Sequence, residues 1–204
     1  MPTGVAIRDA RQQLFDAAER VLLRAGPSAL TSRAVTAEAG VAKGVLHRHF
    51  ADFDAFLAEF VLDRVDRMDS QAAALRDAAG TGTVVGNLTG ALSALFESAA
   101  VAIVPLITFR DELRARLRHG WPAGVPVLTE AMVMIAGYLT AERDLGRIAA
   151  DAEVDNLAPM LIGTTHLLYA DRTGTQPSAA AVRTVVTKVI AEVVRHDAAG
   201  RPAG

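Results

Sequence analysis

The sequence contains no cysteine among its 204 residues, and aromatic residues make up only 5% of it. The absence of cysteine excludes disulfide bonds, thiolate metal sites and cysteine nucleophiles. It fits a reducing compartment, where disulfides are rare. The chain is long enough for one domain or for a small domain joined to a larger one, and its 51% of apolar residues are sufficient for a sizeable core.

A long hydrophobic run is also missing. The longest apolar stretch, residues 99–107, is interrupted by Pro105 and is much shorter than the roughly 20 residues that span a bilayer. The N-terminus has no apolar run behind a basic start, so it does not resemble a signal peptide. We therefore expect a soluble, cytoplasmic protein with no membrane partner.

Charge is distributed unevenly along the chain. Residues 1–50 carry seven Lys and Arg against four Asp and Glu, whereas the remainder carries fourteen against nineteen. A basic first segment on an acidic body suits a protein whose first segment meets phosphate. Ordinary scatter explains a bias of this size equally well, so charge alone leaves the question open.

Apolar residues recur at helical spacing along most of the chain, which predicts an all-α fold. Residues 101–107 resemble a buried strand in composition, but no second segment of that type could pair with them. The predicted set is nine helices, at residues 8–25, 32–39, 43–49, 53–79, 84–104, 106–119, 125–143, 153–171 and 178–195.

Residues 30–56 are typical of a helix-turn-helix, which is a supporting helix, a tight turn and a basic second helix suited to a major groove. Thr31 is a good N-cap for the first helix, and Gly40 lies where the turn requires a positive φ. Leu46 and Phe50 are expected to point inward. A short basic helix is also common as a solvated surface in helical bundles, so the pattern by itself does not decide between the two.

Residues 39–57, AGVAKGVLHRHFADFDAFL, resemble the TetR family of bacterial transcriptional regulators, whose pattern is approximately A-G-V-S-K-G-T-L-Y-x-H-F-x-S-K-E-E-L. The resemblance implies the family's nine-helix architecture, with a DNA-binding domain over residues 1–52. It also implies a ligand-binding and dimerisation domain over residues 53–204, linked to the first by the long helix that starts at Phe53.

Four positions depart from the family pattern. Ala42 lacks the usual hydroxyl and Phe53 lacks the usual ammonium group, so two phosphate contacts are lost. Val45 replaces a threonine and can contact a thymine methyl instead. His47 replaces a tyrosine and introduces mild pH sensitivity. We expect weaker electrostatic anchoring than in a typical member, partly compensated if the N–H groups at the start of the long helix face a phosphate.

The recognition helix and the start of the supporting helix supply the predicted DNA contacts. Lys43 is assigned to a phosphate or a guanine edge, Val45 and Arg48 to base readout, and the histidines to phosphates. Gly44 lets the backbone approach closely, as the resemblance implies. The predicted DNA-binding residues are Thr31, Ser32, Arg33, Ala42, Lys43, Gly44, Val45, His47, Arg48 and His49.

Apolar and weakly polar side chains between residues 84 and 171 are typical of a small-molecule site. They describe a packed core equally well, and for any single residue the core is the better interpretation. The resemblance favours a pocket, and the scarcity of charge predicts a neutral hydrophobic effector. The candidate pocket residues are Leu92, Phe96, Phe109, Trp121, Met132, Tyr138, Thr165 and His166.

The last two predicted helices each carry a continuous apolar stripe. Such stripes either pack inside one chain or form a four-helix interface across a two-fold axis, and the resemblance favours the dimer. A two-fold dimer can hold its recognition helices roughly 34–36 Å apart on a palindromic site. The candidate interface residues are Leu157, Leu161, Leu168, Val182, Val186, Val189, Ile190 and Val193.

No catalytic motif is present. The three histidines outside the basic helix, at positions 119, 166 and 196, fall on different predicted segments, and we expect no enzyme activity, cofactor or metal. The sequence predicts a homodimeric, ligand-responsive regulator, a repressor that leaves a palindromic operator when it binds a small hydrophobic effector. The alternative is a helical sensor or carrier whose DNA-binding part is weakened.

Overall fold

The computed structural model describes residues 5–98, 100–122, 124–170 and 176–194, without the side chains of residues 5–9, 100 and 101. Within these residues the chain is all-helical, which confirms the predicted fold class, and its only strand-like feature is an isolated bridge between Ile148 and Val194. The ten helices are α1 (Val5–Ala25), α2 (Ser32–Glu38), α3 (Gly44–His49), α4 (Phe53–Asp77), α5 (Val84–Glu97), α6 (Ala100–Thr108), α7 (Asp111–Leu117), α8 (Pro126–Asp144), α9 (Val154–Ala170) and α10 (Ala179–Val189).

The tenth helix arises because the stretch predicted as one helix over 84–104 is divided. α5 ends at Glu97, and the Ser98 hydroxyl donates a hydrogen bond back to the Leu95 carbonyl. α6 then continues through Pro105 to Thr108. Pro105 therefore lies inside α6, although the predicted helices end at residue 104 and begin again at residue 106.

The C-terminal helix is shorter than predicted. α10 ends at Val189 rather than near residue 195, and a turn follows. The Ala149 amide donates to the Val193 carbonyl at 2.7 Å, next to the bridge between Ile148 and Val194. This extended pairing replaces the last helical turn, and valine, which favours extended backbone, occupies both positions 193 and 194.

The chain divides into two compact units. The first contains the residues up to Asp69 together with Leu95–Glu130, and the second contains Ser70–Ala94 together with the residues from Ala131 onward. The boundary at residue 52 that the resemblance implies differs from this division by compactness, and it stays a prediction.

The core of the first unit is built around aromatic rings. Phe56 and Phe60 of α4 are fully buried, and Phe15 of α1 and Phe50 lie beside them. Ring centroids are 5.0 Å apart for Phe50 and Phe56, and 5.6 Å apart for Phe15 and Phe56. Such pairs add about 0.5–1.5 kcal/mol to the stabilisation from burial alone. Four of the ten aromatic residues of the chain therefore pack together in this core.

The second unit has an aliphatic core crossed by a polar network. The Tyr138 hydroxyl donates to the buried Glu142 carboxylate at 2.5 Å and accepts from the Asn87 amide at 3.0 Å. Asn87 also donates to the carbonyls of Ala78 and Thr81. Burial and the adjacent carboxylate raise the pKa of the Tyr138 hydroxyl. These bonds fasten the turn between α4 and α5 to α8.

Candidate nucleic-acid interface

The supporting helix α2 begins with a side-chain cap. Thr31 is extended, with φ −127°, and its hydroxyl accepts a hydrogen bond from the Ala34 amide at 3.1 Å, as the sequence predicted. The Thr36 hydroxyl donates to the Ser32 carbonyl within the same helix. Val35 and Thr36 are buried, whereas Thr31 and Arg33 are exposed and Ser32 is half-buried. The start of α2 is therefore open to a partner.

The turn between the two short helices depends on Gly40. Its φ is +68°, a region where a side chain is strained and glycine is not. The Val41 amide donates to the Thr36 carbonyl at 3.0 Å, which satisfies a carbonyl that α2 leaves open at its end. Ala42 and Lys43 belong to the turn, and Lys43 stands at the N-cap position of α3 without a side-chain cap.

α3 has one inward and one outward face. Leu46 is fully buried and Phe50, just after the helix, is 3% exposed, which confirms that both point inward. Val45 and His49 are half-buried at the edge, whereas Lys43, Gly44, His47 and Arg48 are exposed. The structure therefore brings the predicted contacts of α3 together on one accessible surface.

Gly44 has no steric role within the chain. A Cβ built at this position meets no atom within 4 Å, and the residue's φ is not positive. Neither packing nor backbone geometry explains a glycine at the first position of a helix, where alanine is about 1 kcal/mol more favourable in helix propensity. The backbone at the start of α3 is therefore open, without a side chain of its own to cover it.

Helix α1 braces the ends of both motif helices. The Gln13 amide donates to the carbonyl of Ala39, the C-cap of α2, at 3.0 Å. Arg11 donates to the carbonyl of His49, the last residue of α3, at 3.3 Å, and its guanidinium lies 4.5 Å from the Phe50 ring centroid. Arg11 is also ion-paired with Glu59. The sequence analysis missed this bracing because the partners are 26–48 residues apart.

The start of α4 is occupied by a carboxylate of the chain itself. Asp52 accepts a hydrogen bond from the Ala55 amide at 2.8 Å and so caps the helix. This bond and the nearby Arg116 guanidinium hold the pKa of Asp52 below its usual range. The Asp52 carboxylate already accepts from one of the N–H groups at the start of α4. That N–H group is not free for a phosphate, which disfavours the start of α4 as a replacement for the ammonium group that Phe53 lacks.

The predicted pocket residues do not form one site. Leu92, Phe96, Tyr138 and Thr165 are buried in the packed core, which was the alternative interpretation for each, and Phe109 is 84% exposed. Met132 and His166 are half-buried, and burial lowers the pKa of the His166 imidazole. Trp121 lines a cavity of about 280 Å³ beside Arg114 and Arg118, and none of the other seven lines it.

A larger cleft of about 400 Å³ lies in the second unit, between the end of α4 and α5. Small residues form most of its wall, with Leu75 and Met134 as the larger apolar groups and Gln71 and Asn87 as the polar ones. No lining side chain is charged. Sequence reasoning missed this site because it looked for large apolar side chains, whereas the space exists where side chains are small. The small lining residues are Ala74, Ala78, Gly86, Gly90, Ala91 and Ala94.

The predicted dimer stripes are largely used within the chain. Five of the eight residues are already buried inside a single copy, so their apolar surface is covered within the chain and is not exposed for a partner. The other three, Leu168, Val189 and Val193, are half-buried. The outward apolar residues of α9 are instead Met160, at 53% exposure, and Leu167, at 73%. The five buried residues are Leu157, Leu161, Val182, Val186 and Ile190.

The described residues contain neither a metal-ligand cluster nor a single helix that could span a membrane. No three His, Asp or Glu side chains lie close enough together to hold a metal ion. No single helix is long and apolar enough to cross a membrane, and only the bent pair Val84–Glu97 and Ala102–Thr108 meets the length and composition of a span when taken together.

The helix-turn-helix segment is similar to a known protein family. Residues 14–60 match the family model described as bacterial regulatory proteins, tetR family, a range that contains the helix-turn-helix and its aromatic support. No curated protein sequence matches the chain.

The fold is similar to that of solved regulators at low sequence identity. A TetR-family transcriptional regulator from Agrobacterium tumefaciens matches with a TM-score of 0.70 at 12% identity, over 92% of this chain and 99% of that one. The reduced form of NemR from Escherichia coli gives 0.71 at 13% identity, over 91% and 97%. FadR from Bacillus subtilis, solved with stearoyl-CoA, gives 0.64 at 18% identity, over 89% and 98%.

These structures establish the fold, and two of them are of transcriptional regulators. The family model covers the helix-turn-helix, and the solved structures share the fold over about nine-tenths of the chain. Residues 14–60 are therefore similar to the DNA-binding segment of the tetR family of bacterial regulatory proteins, and the chain has the fold of solved TetR-family structures.

Proposed function

We propose that the protein is a DNA-binding transcriptional regulator whose α3 enters the major groove. The observation that carries this proposal is the division of α3 into a buried side at Leu46 and an accessible side that carries Lys43, Gly44 and Arg48. Residues 1–52 would form the DNA-binding domain, and residues 53–204 would form the ligand-binding and dimerisation domain. Binding to DNA would take place in the cytoplasm, on a palindromic operator.

A selection from random duplexes tests DNA recognition. The full-length protein is expected to enrich one sequence with two inverted half-sites, since a two-fold dimer presents two copies of α3. The second candidate is a sensor or carrier whose DNA-binding domain is weakened. Two observations favour it: Ala42 and Phe53 lack the family's phosphate-binding groups, and the Asp52 carboxylate already occupies the start of α4. Failure to enrich any sequence in the selection would contradict sequence-specific DNA binding and favour that candidate.

Gly44→Ala separates recognition from folding. Because a Cβ at Gly44 meets nothing, the variant is expected to be as stable as the parent or up to about 1 kcal/mol more stable. Its affinity for the selected duplex should fall, by about tenfold, which corresponds to about 1.4 kcal/mol, because the methyl group separates backbone and DNA. Thermal unfolding and fluorescence anisotropy measure the two effects. Unchanged affinity would remove Gly44 from the interface.

A second copy of the chain is the partner proposed for the outward face of α9. Met160, Gly163, Thr164 and Leu167 are exposed at the i, i+3, i+4, i+7 spacing of one helical stripe. A Cβ at Gly163 meets nothing within 4 Å, which leaves room for a neighbouring helix to approach closely. Large exposed apolar side chains in such a stripe mark an interaction surface.

Leu167→Asp tests this interface. A charge left unpaired in an apolar interface costs about 3–5 kcal/mol, so the dimer should weaken by about a hundredfold or more. Val133→Asp is the matched control, because Val133 is 60% exposed on α8 outside the proposed stripe. Native mass spectrometry should show a monomer for the first variant and a dimer for the second. Two equally dimeric variants would place the interface elsewhere.

The effector is proposed to be a small, uncharged, apolar molecule bound in the cleft between α4 and α5. The volume of about 400 Å³ is within the range of small-molecule sites, and a lining without charge disfavours an ionic ligand. The solved FadR contains an acyl-CoA, which supports a ligand-binding role in this fold without identifying the ligand here. A ligand would release DNA only if it prefers one arrangement of the protein.

Gly90→Phe is expected to close the cleft. No atom lies within 4 Å of a Cβ at Gly90, so the ring can enter the open space that this glycine lines. Binding of the neutral dye Nile red, followed by fluorescence, should weaken at least about tenfold, which is 1.4 kcal/mol. Gly137→Phe is the control, since Gly137 also has free space around its Cβ but does not line the cleft. Equal dye binding by the two variants would contradict the assignment.

A further inference from the structure

Two carboxylates follow the recognition helix, and each is paired with an arginine from a distant part of the chain. Asp54 accepts two bonds from Arg110, at 3.0 and 2.8 Å. Asp52 accepts one bond from Arg116 of α7, at 2.6 Å. All four residues belong to the first unit. Two acidic side chains therefore follow the basic surface of α3 directly along the chain. Their charges are balanced by Arg116 of α7 and by Arg110, the residue before α7.

The Arg110–Asp54 pair is less exposed to solvent than the Arg116–Asp52 pair. Arg110 directs two nitrogens at Asp54 and lies 5.6 Å from the Phe53 ring centroid, so its guanidinium is held on two sides. The side chain of Arg116 is 41% exposed and that of Asp52 is 49% exposed. The bond to Asp52 uses one of the five N–H donors that a guanidinium carries. Arg116 is therefore positioned but still able to take a second anion.

The position of this pair brings it close to any duplex that α3 reads. Asp52 is three residues beyond His49, the last residue of α3, so the chain places their Cα atoms at most about 11 Å apart. A major groove is about 12 Å wide, which means that the sugar–phosphate strands bordering it lie within a similar distance of a helix in the groove. A phosphate at this edge of the groove would lie near the Asp52 carboxylate and the Arg116 guanidinium that is bonded to it.

We infer that Arg116 binds a backbone phosphate of the duplex that α3 reads, with the phosphate replacing Asp52 on part of its guanidinium. Asp52 remains bonded to the Ala55 amide and so keeps its role as the α4 cap. Arg–phosphate pairs form strong, often bidentate hydrogen bonds. The contact places a residue of α7 in the DNA interface, outside the helix-turn-helix. This inference rests on the proposed DNA binding.

Three variants separate a phosphate contact from simple neutralisation of Asp52. Arg116→Gln removes the cation. Asp52→Asn removes the competing carboxylate and keeps a good N-cap, since asparagine caps as well as aspartate. The double variant has the same net charge as the parent. Arg76→Gln, an exposed arginine in the last turn of α4, controls for a general loss of positive charge.

The measurement is the slope of log affinity against log salt for the selected duplex. Each phosphate neutralised contributes about −0.9 to that slope, so Arg116→Gln and the double variant should both lose about 0.9 per bound subunit. Asp52→Asn should bind more tightly than the parent, and Arg76→Gln should keep the parental slope. A double variant with parental affinity and slope would overturn the inference, since Arg116 would then only neutralise Asp52. A parent without salt-dependent binding would instead overturn the proposed DNA binding itself.

Discussion

Arg48→Ala is expected to lower affinity for the selected duplex by about 1–3 kcal/mol, or roughly five- to more than a hundredfold, and to relax preference at one base pair. Arg48 is exposed on the outward side of α3, and the described residues provide it with no hydrogen bond or ion pair that its loss would break. An arginine in a major groove commonly contacts the O6 and N7 atoms of guanine, and alanine cannot replace that contact.

Lys43→Ala is the comparison for Arg48→Ala, because it distinguishes a phosphate contact from a base contact. A residue that contacts phosphate lowers affinity for all duplexes and reduces the salt slope by about 1. Anisotropy titrations with the selected duplex and with single-base substitutions of it distinguish the two patterns. If Arg48→Ala weakens every duplex equally, it is a phosphate contact, and if neither variant changes binding, α3 does not read DNA.

Phe56→Ala is expected to destabilise the first unit by about 3–5 kcal/mol, the usual cost of removing a buried phenylalanine. Phe56 is fully buried. Its ring centroid lies 5.0–6.5 Å from those of Phe15, Phe50, Phe53 and Phe60. The cavity would open beneath both α3 and the start of α4. A loss of this size is a large part of the 5–15 kcal/mol that stabilises a typical domain.

Phe109→Ala is the matched control for that loss. It removes the same atoms from a side chain that is 84% exposed, where substitutions usually change stability by no more than about 0.5 kcal/mol. Trp121, the only tryptophan of the chain, belongs to the same unit and reports its unfolding in urea by fluorescence. Equal destabilisation by the two variants would contradict the assignment of Phe56 to the core and of Phe109 to the surface.

The helix-turn-helix was the most predictable part of the molecule because its determinants are local. The cap at Thr31, the positive φ of Gly40 and the inward side of Leu46 each depend on residues within a few positions of one another. The resemblance to the TetR family rests on the same stretch, and the family match over residues 14–60 confirms it.

Features made by residues distant in sequence were not predicted. The bonds from Arg11 and Gln13 to the ends of α3 and α2 span 38 and 26 residues, and the pair of Arg116 with Asp52 spans 64. No local pattern indicates such partners, since an exposed arginine at helical spacing looks the same whether it is paired or free. They became visible only when the fold brought α1 and α7 to the motif.

The predicted dimer residues and the predicted pocket residues differ from what the structure shows because apolar patterns are ambiguous. The stripes of α9 and α10 have the spacing of a dimer surface and of an internal seam alike, and the structure uses most of their residues internally. The cleft between α4 and α5 exists because alanine and glycine leave space, whereas sequence reasoning assigned a pocket to bulky residues such as Tyr138, which fill the core. Periodicity shows which residues are apolar but not which partner covers them.

The salt dependence of binding to the selected duplex tests the central claim, DNA recognition by α3, most directly. A specific binder should lose affinity steeply, with a log–log slope of about −0.9 for every phosphate neutralised, and should still prefer the selected duplex to a scrambled one at each salt concentration. We predict both results, with a shallower slope for Lys43→Ala. A shallow slope in the parent, with equal affinity for the two duplexes, would contradict the account.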